Sequence, residues 1–382
     1  MNDSVPFHKA CLGEDELSEV SAAIKSGWIT MGPKTVEFEE RFKAYLCARS
    51  GRAPSELYAL CVSSATAALH LALKAVGLDR GDEVILPTNT FIATAEVVTY
   101  FGAVPVLSDI EEDTHNMSVS SLESLITPRT KAIIPVHFGG QPCDMDEIMA
   151  LAKRRGLVVI EDAAHALPSE YKGKVVGVIG DLTCFSFYAT KTLAMGEGGM
   201  VVTADQKYAE RVRINRLHGI SRDAWDRYSL TGDWYYEVVD NGFKYNATDI
   251  NAALGLAQLR KLDAMNEARA KIASSYDGAF AGSRVTPATV RSDRASSRHL
   301  YVIKVSNRDE LYRKLKEDGI GTSVHFIPVH KHPHYRSAYG YQDAAYPVAN
   351  RVFERALSLP IYPDMTREQV ERVCEGVLRH AR

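Results

Sequence analysis

The chain has 382 residues, enough for two domains. Hydrophobic residues make up 46% and charged residues 24%, which excludes a disordered, collagen-like or low-complexity protein. Against 48 acidic residues stand 45 Lys and Arg, a net charge of -3, so no basic excess exists to neutralise a phosphate backbone and nucleic acid is not an expected partner.

Short apolar runs alternate with helical patterns along the chain. Residues 14–25 and 34–46 read as helices, joined by the loop WITMGP (28–33). YALCVS (58–63) reads as a strand and ATAALHLALKAVG (65–77) as an Ala/Leu-rich helix. Strands follow at 83–87, 104–110, 131–137 and 157–162, with helices at 91–101, 119–126 and 144–155 between them. LTCFSFY (182–188) and GMVVTA (199–204) are further strands. Near-continuous apolar strands alternating with helices imply an α/β fold with a mostly parallel sheet covered on both faces. Ligands of such sheets bind beyond the strand C-terminal ends, where Ser64, Phe91, Asp162 and Lys191 fall. From about 248 a long helical pattern leads to a smaller α+β unit. That unit comprises strands 299–305 and 322–327 and helices 308–318 and 366–380.

Cysteines 11, 47, 61, 143, 184 and 374 include no CxxC, because the closest pair is 14 residues apart. They read as reduced, mostly buried thiols of a cytoplasmic protein. The first twenty residues lack the basic flank and apolar core of a signal peptide, and no run has the length of a membrane span, so no membrane partner is expected. His325, His330, His332 and His334 match no zinc-ligand spacing, and no metal is expected. Trp225, Tyr228, Trp234, Tyr235 and Tyr236 fit a sugar- or base-covering patch and ordinary packing about equally.

Four features carry the chemistry together, although a plain structural role explains each one alone. In SSATAALHLAL (63–73), Ser64 or Thr66 can cap a helix whose first N–H groups would face an anion. Neither a GxxxxGK[ST] nor a GxGxxG loop accompanies it. In VVIEDAAHA (158–166), Asp162 ends a buried strand and small alanines would let a flat ring approach. In CFSFYATKTLAMGEGGMVV (184–202), a strand delivers Ser186 and then Lys191. Desolvation there would lower the ammonium pKa and free an amine to attack carbonyls. In GFKYNATDINAALGLAQL (242–259), Asn246 precedes a helix start near Thr248 or Asp249. An amine, a strand-end carboxylate, a helix N-terminus with Ser, and an aromatic are what pyridoxal 5'-phosphate (PLP) requires.

These motifs, with PTNTFIATAEVV, KAIIPVHFGG and EGGMVVT, resemble the DegT/DnrJ/EryC1/StrS nucleotide-sugar aminotransferases over nearly the whole chain. HGISRDAWDRY (218–228) and VHFIPVHKHPHY (324–335) are similar to the branch that aminates a 4-keto group, of the UDP-4-amino-4-deoxy-L-arabinose synthase type. The resemblance implies the PLP-dependent transferase fold type I. It implies a seven-stranded sheet in a large domain (1–260) and a small C-terminal domain (261–382). It also implies a homodimer with active sites at the interface, and pyridoxamine phosphate (PMP) as the alternate cofactor form. By that resemblance Lys191 joins the cofactor aldehyde, Asp162 faces the pyridine nitrogen, Phe91 stacks on the ring, and His165 lies by its 3-hydroxyl. Ala65, Thr66 and Ser186 cradle the phosphate, and Asn246 reaches it from the partner subunit. The implied substrates are L-glutamate, giving 2-oxoglutarate, and a nucleotide-activated keto-sugar. C3 amination and a non-catalytic regulatory role are the alternatives.

Overall fold

The computed structural model describes residues 4–221 and 235–382. Two N-terminal helices, α1 (Glu14–Lys25) and α2 (Pro33–Ser50), precede β1 (Tyr58–Val62). The alternating segment follows as α3 (Ala65–Val76), β2 (Glu83–Pro87), α4 (Ala93–Thr99), β3 (Val104–Ser108), α5 (Val119–Leu125), β4 (Thr130–Ile133), α6 (Met145–Arg155) and β5 (Val158–Asp162). β6 (Leu182–Ser186), β7 (Gly199–Thr203) and α7 (Gln206–Asn215) complete the large layer structure. The sheet has seven strands in the order β1-β7-β6-β5-β4-β2-β3. Only β7 runs against its neighbours, as the antiparallel β1–β7 and β6–β7 registers show. This is the mixed α/β arrangement, with a mostly parallel seven-stranded sheet, that the resemblance implies.

The strands read as continuous apolar runs because both faces are covered. Val84, Leu86 and Ile160 bury into one core with α3, while Ile85, Ile133 and Val159 bury into the other beside α6. All six co-directional strands end on the same side, and the loops leaving β1, β2, β5 and β6 converge there.

Helix α8 (Asp249–Phe280) runs unbroken through residue 260. Its N-terminal half packs with α1 and α2, and its last turns enter a separate apolar core with β8 (Tyr301–Lys304), α9 (Arg308–Glu317), β9 (Ala356–Leu359) and α10 (Arg367–His380). Val5 joins that second core and forms an isolated parallel bridge with Ile320, so the N-terminal segment is tied to the C-terminal unit.

Residues 322–327, expected as a strand, form none. Ser323 makes one bridge with Ser358, and the His325–Phe326 peptide is cis. The backbone groups of this segment and the next go to separate partners instead of a ladder. Phe326 N donates to Asn89 Oδ1 at 3.3 Å and Val329 N to Thr88 O at 2.8 Å. The histidines after it therefore share no face: His330 is fully buried between Thr88 Oγ1 and Asn350 Oδ1, whereas His334 is exposed. Trp225, Tyr228 and Trp234 lie outside the described residues, while Tyr235 and Tyr236 are exposed. Among the described residues, no helix is long and apolar enough to cross a membrane.

Candidate active site

A cavity of about 360 Å³ opens where the co-directional strands end. Ser64, Ala65, Thr66, Phe91, Asp162, His165, Ser186 and Lys191 all line it. Asn246 does not; its side chain bonds Lys244 Nζ and Ala247 O of its own chain.

The floor is set by α3. Ser64 is its N-cap, in extended backbone, and its Oγ accepts from Ala67 N at 3.1 Å. The first amides of a helix have no intrahelical acceptor, so those of Ala65 and Thr66 face the cavity at the positive end of the dipole. β7 begins hard against this turn: a Cβ on Gly199 would lie 2.4 Å from Ser64 O. Ser186, at the end of β6, stands on the same wall. Unspent amides and a hydroxyl suit a phosphate group.

Asp162 ends β5 and is buried. Thr94 Oγ1 donates to its Oδ2 at 2.7 Å and Ala164 N to its Oδ1 at 3.1 Å. Thr90 Oγ1 continues that chain, 2.7 Å from Thr94 Oγ1. Burial nevertheless pushes the Asp162 carboxyl up, with these hydrogen bonds and the charge of Lys191 pulling the other way. Such a carboxylate is built to meet a cation. Lys191 lies in the turn after β6, and burial lowers its ammonium from 10.5 to about 8, opposed by Asp162. Among the described residues it makes no ion pair. A free amine is therefore accessible near neutral pH, as attack on a carbonyl requires.

His165 is buried, and Gly139 N donates to its Nδ1 at 3.3 Å. In the neutral ring that bond puts the proton on Nε2. Burial, then the Lys191 charge, holds His165 well below the ordinary histidine range. Its carbonyl accepts from Ser297 Oγ at 2.5 Å, and Ser169 Oγ, which donates to Gly140 O at 2.7 Å, accepts from Ser297 N at 3.0 Å. The HFGG segment thus clamps His165 from below. Gly140, at φ +99°, is required there because a Cβ would meet Ser297 Oγ at 2.1 Å.

Phe91 is 58% exposed at the mouth, its ring 5.8 Å from that of Phe326. Thr90, Thr94 and His299 also line the cavity, unforeseen from the sequence, as do His325 and Phe326 of the loop that the resemblance placed near the sugar pocket without assigning roles. Thr94 had a signal, since it lies one helical turn after Phe91 in NTFIAT. His299 had none, standing at the head of an apolar strand run.

Residues 10–378 match the profile of the DegT/DnrJ/EryC1/StrS aminotransferase family. The chain belongs to that family. It is 48% identical over 385 residues to the spore coat polysaccharide biosynthesis protein SpsC of Bacillus subtilis, covering 98% of this chain and 97% of SpsC. It superposes on Spr1654 from Streptococcus pneumoniae, solved in PLP and PMP forms, with TM-score 0.90, 35% identity and 98% of both chains covered. PseC of Helicobacter pylori, an aminotransferase involved in pseudoaminic acid biosynthesis, matches with TM-score 0.89, 29% identity and 99% of both chains covered. The protein is a PLP-dependent sugar aminotransferase, and the cavity's amine, carboxylate and phosphate-binding turn fit that cofactor.

Proposed function

We propose that the enzyme moves the amino group of L-glutamate to C4 of a nucleotide-activated keto-deoxy sugar. The observation that carries the amine-transfer chemistry is the pairing of a half-buried Lys191, lowered to about 8, with buried Asp162 across one cavity. The choice of C4 rests on the resemblance of segments 218–228 and 324–335 to the 4-keto branch.

Bound PLP supplies an aldehyde that takes up the amine and a pyridinium ring that draws electrons from the substrate Cα. This chain supplies the rest. Lys191 Nζ holds the aldehyde at rest and, once released, takes the proton from Cα as a general base. Asp162, oriented by Thr94 and Ala164, pairs with the protonated ring nitrogen and regains its own charge by doing so. His165 donates from Nε2 to the ring's 3-oxygen. The Ala65 and Thr66 amides with Ser186 take the phosphate, and Phe91 stacks on the outer ring face.

We further propose a homodimer, in which Asn246 of each chain completes its partner's phosphate site. Its position outside its own cavity supports this reading. A division near residue 260 into a large and a small domain belongs to the same proposal. Six free thiols favour a cytoplasmic location.

Incubating the holoenzyme with L-glutamate and either a 4-keto or a 3-keto nucleotide sugar tests the reading. NMR of the product should place the amine on C4; amination at C3, or no amino sugar from either, would overturn it.

A further inference from the structure

Residues 4–13 precede α1 without a helix or ladder of their own, yet the segment is tied down at both ends. Val5 N donates to Gly319 O at 2.9 Å, and Val5 O accepts from Gly321 N at 2.8 Å. Gly321 permits that approach, since a Cβ there would lie 2.6 Å from Phe7 N. At the other end Gln258 Nε2 of α8 donates to Cys11 O at 2.8 Å. Between the anchors, Phe7 stacks on the cavity residue His325, with ring centroids 5.5 Å apart.

His8, next along, reaches the turn that carries Lys191. Its Nε2 lies 3.1 Å from Ala189 O. A carbonyl only accepts, so Nε2 bears the proton and donates. Burial above all lowers the half-buried His8 to about 4, so the ring donates in its neutral form. Lys191 N donates to Tyr188 O at 2.9 Å, closing the turn Tyr188–Lys191. Ala189 O, inside that turn, accepts no backbone N–H among the described residues, and His8 is its partner. Lys191 Nζ makes no hydrogen bond or ion pair among the described residues, so its place in the cavity is set by its backbone and by packing. Attack on a carbonyl tolerates little misplacement of the amine.

We propose that His8 is a positioning residue for Lys191. Its N–H holds the Ala189 carbonyl and with it the turn that aims the Lys191 amine at the cofactor aldehyde. The N-terminal segment thereby ties the C-terminal unit to the reacting amine. The inference rests on Lys191 being the lysine that bonds the cofactor.

The two cofactor forms separate this role from general support of the cavity. PLP presents an aldehyde, to which the Lys191 amine adds with loss of water. PMP carries an amine in its place and cannot bond a lysine, so its binding reads the cavity without that reaction. His8→Leu removes the donor, and His8→Gln keeps one near the position of Nε2. Full-length wild type and both variants, stripped of cofactor, are mixed with saturating PLP, and covalent attachment is followed by absorbance. PMP affinity is measured by calorimetry. Loss of one neutral hydrogen bond predicts that His8→Leu slows attachment by about 3- to 10-fold. His8→Gln should attach PLP within about twofold of the wild-type rate, and PMP affinity should move less than about twofold in both variants. Attachment at the wild-type rate in His8→Leu, a loss of PMP affinity by the same factor as the rate, or a His8→Gln variant as slow as His8→Leu would each overturn the inference. Attachment of PLP to a different lysine in wild type would instead overturn the role given to Lys191.

Discussion

Lys191 should destabilise the cofactor-free protein, and the cost should depend on pH. Burial lowers its ammonium from 10.5 to about 8. At about 1.4 kcal/mol per unit, the folded state bears about 3 kcal/mol for the charge. Below pH 8 both folded and unfolded chains hold the proton, so that cost is present in full. Between 8 and 10.5 the unfolded chain binds more protons than the folded one, so stability rises with pH and the cost fades. Lys191→Met removes the charge with little change of volume. In urea melts of the cofactor-free proteins, the variant should be the more stable by about 3 kcal/mol near pH 7, and the gap should shrink below about 1 kcal/mol near pH 10. A gap that stays constant across that range would refute the reasoning, because a packing difference alone does not titrate.

Asp162→Asn keeps the shape but loses the charge proposed to meet the ring nitrogen; turnover should fall at least about 100-fold. The cofactor-free variant should melt no lower than wild type near neutral pH, because burial already disfavours the carboxylate. Gly140→Ala drives a Cβ to 2.1 Å from Ser297 Oγ, so chemical denaturation should show a loss of roughly 1–3 kcal/mol, with lowered kcat as His165 shifts. Ser64→Ala removes the α3 cap and should cost about 1 kcal/mol in the same melts.

Much of the large sheet was legible because its strands, buried on both faces, leave apolar runs that turn signals bracket. The residues lining the cavity from α3, β5 and β6 were legible for the same reason, since each follows a strand end. Other features left no periodic trace. TSVHFI alternates like a strand, yet its backbone partners are Ser358 and the side chain of Asn89, which no local pattern announces. Arg269 sits in a helix rich in polar residues and reads as solvent-facing, although the Ile361 carbonyl holds it inside. His299 opens a strand run, and nothing in HLYVIKV indicates that the first residue turns to the cavity. The clamp on His165 joins Gly139, Gly140, Ser169 and Ser297, residues spread over some 160 positions.

The central claim is that Lys191 carries the cofactor. Borohydride reduction of the purified holoenzyme, followed by proteolysis and mass spectrometry, tests it directly. The phosphopyridoxyl group should be found on the peptide containing Lys191. Label on a different lysine, or none on any peptide of a cofactor-saturated sample, would contradict the account.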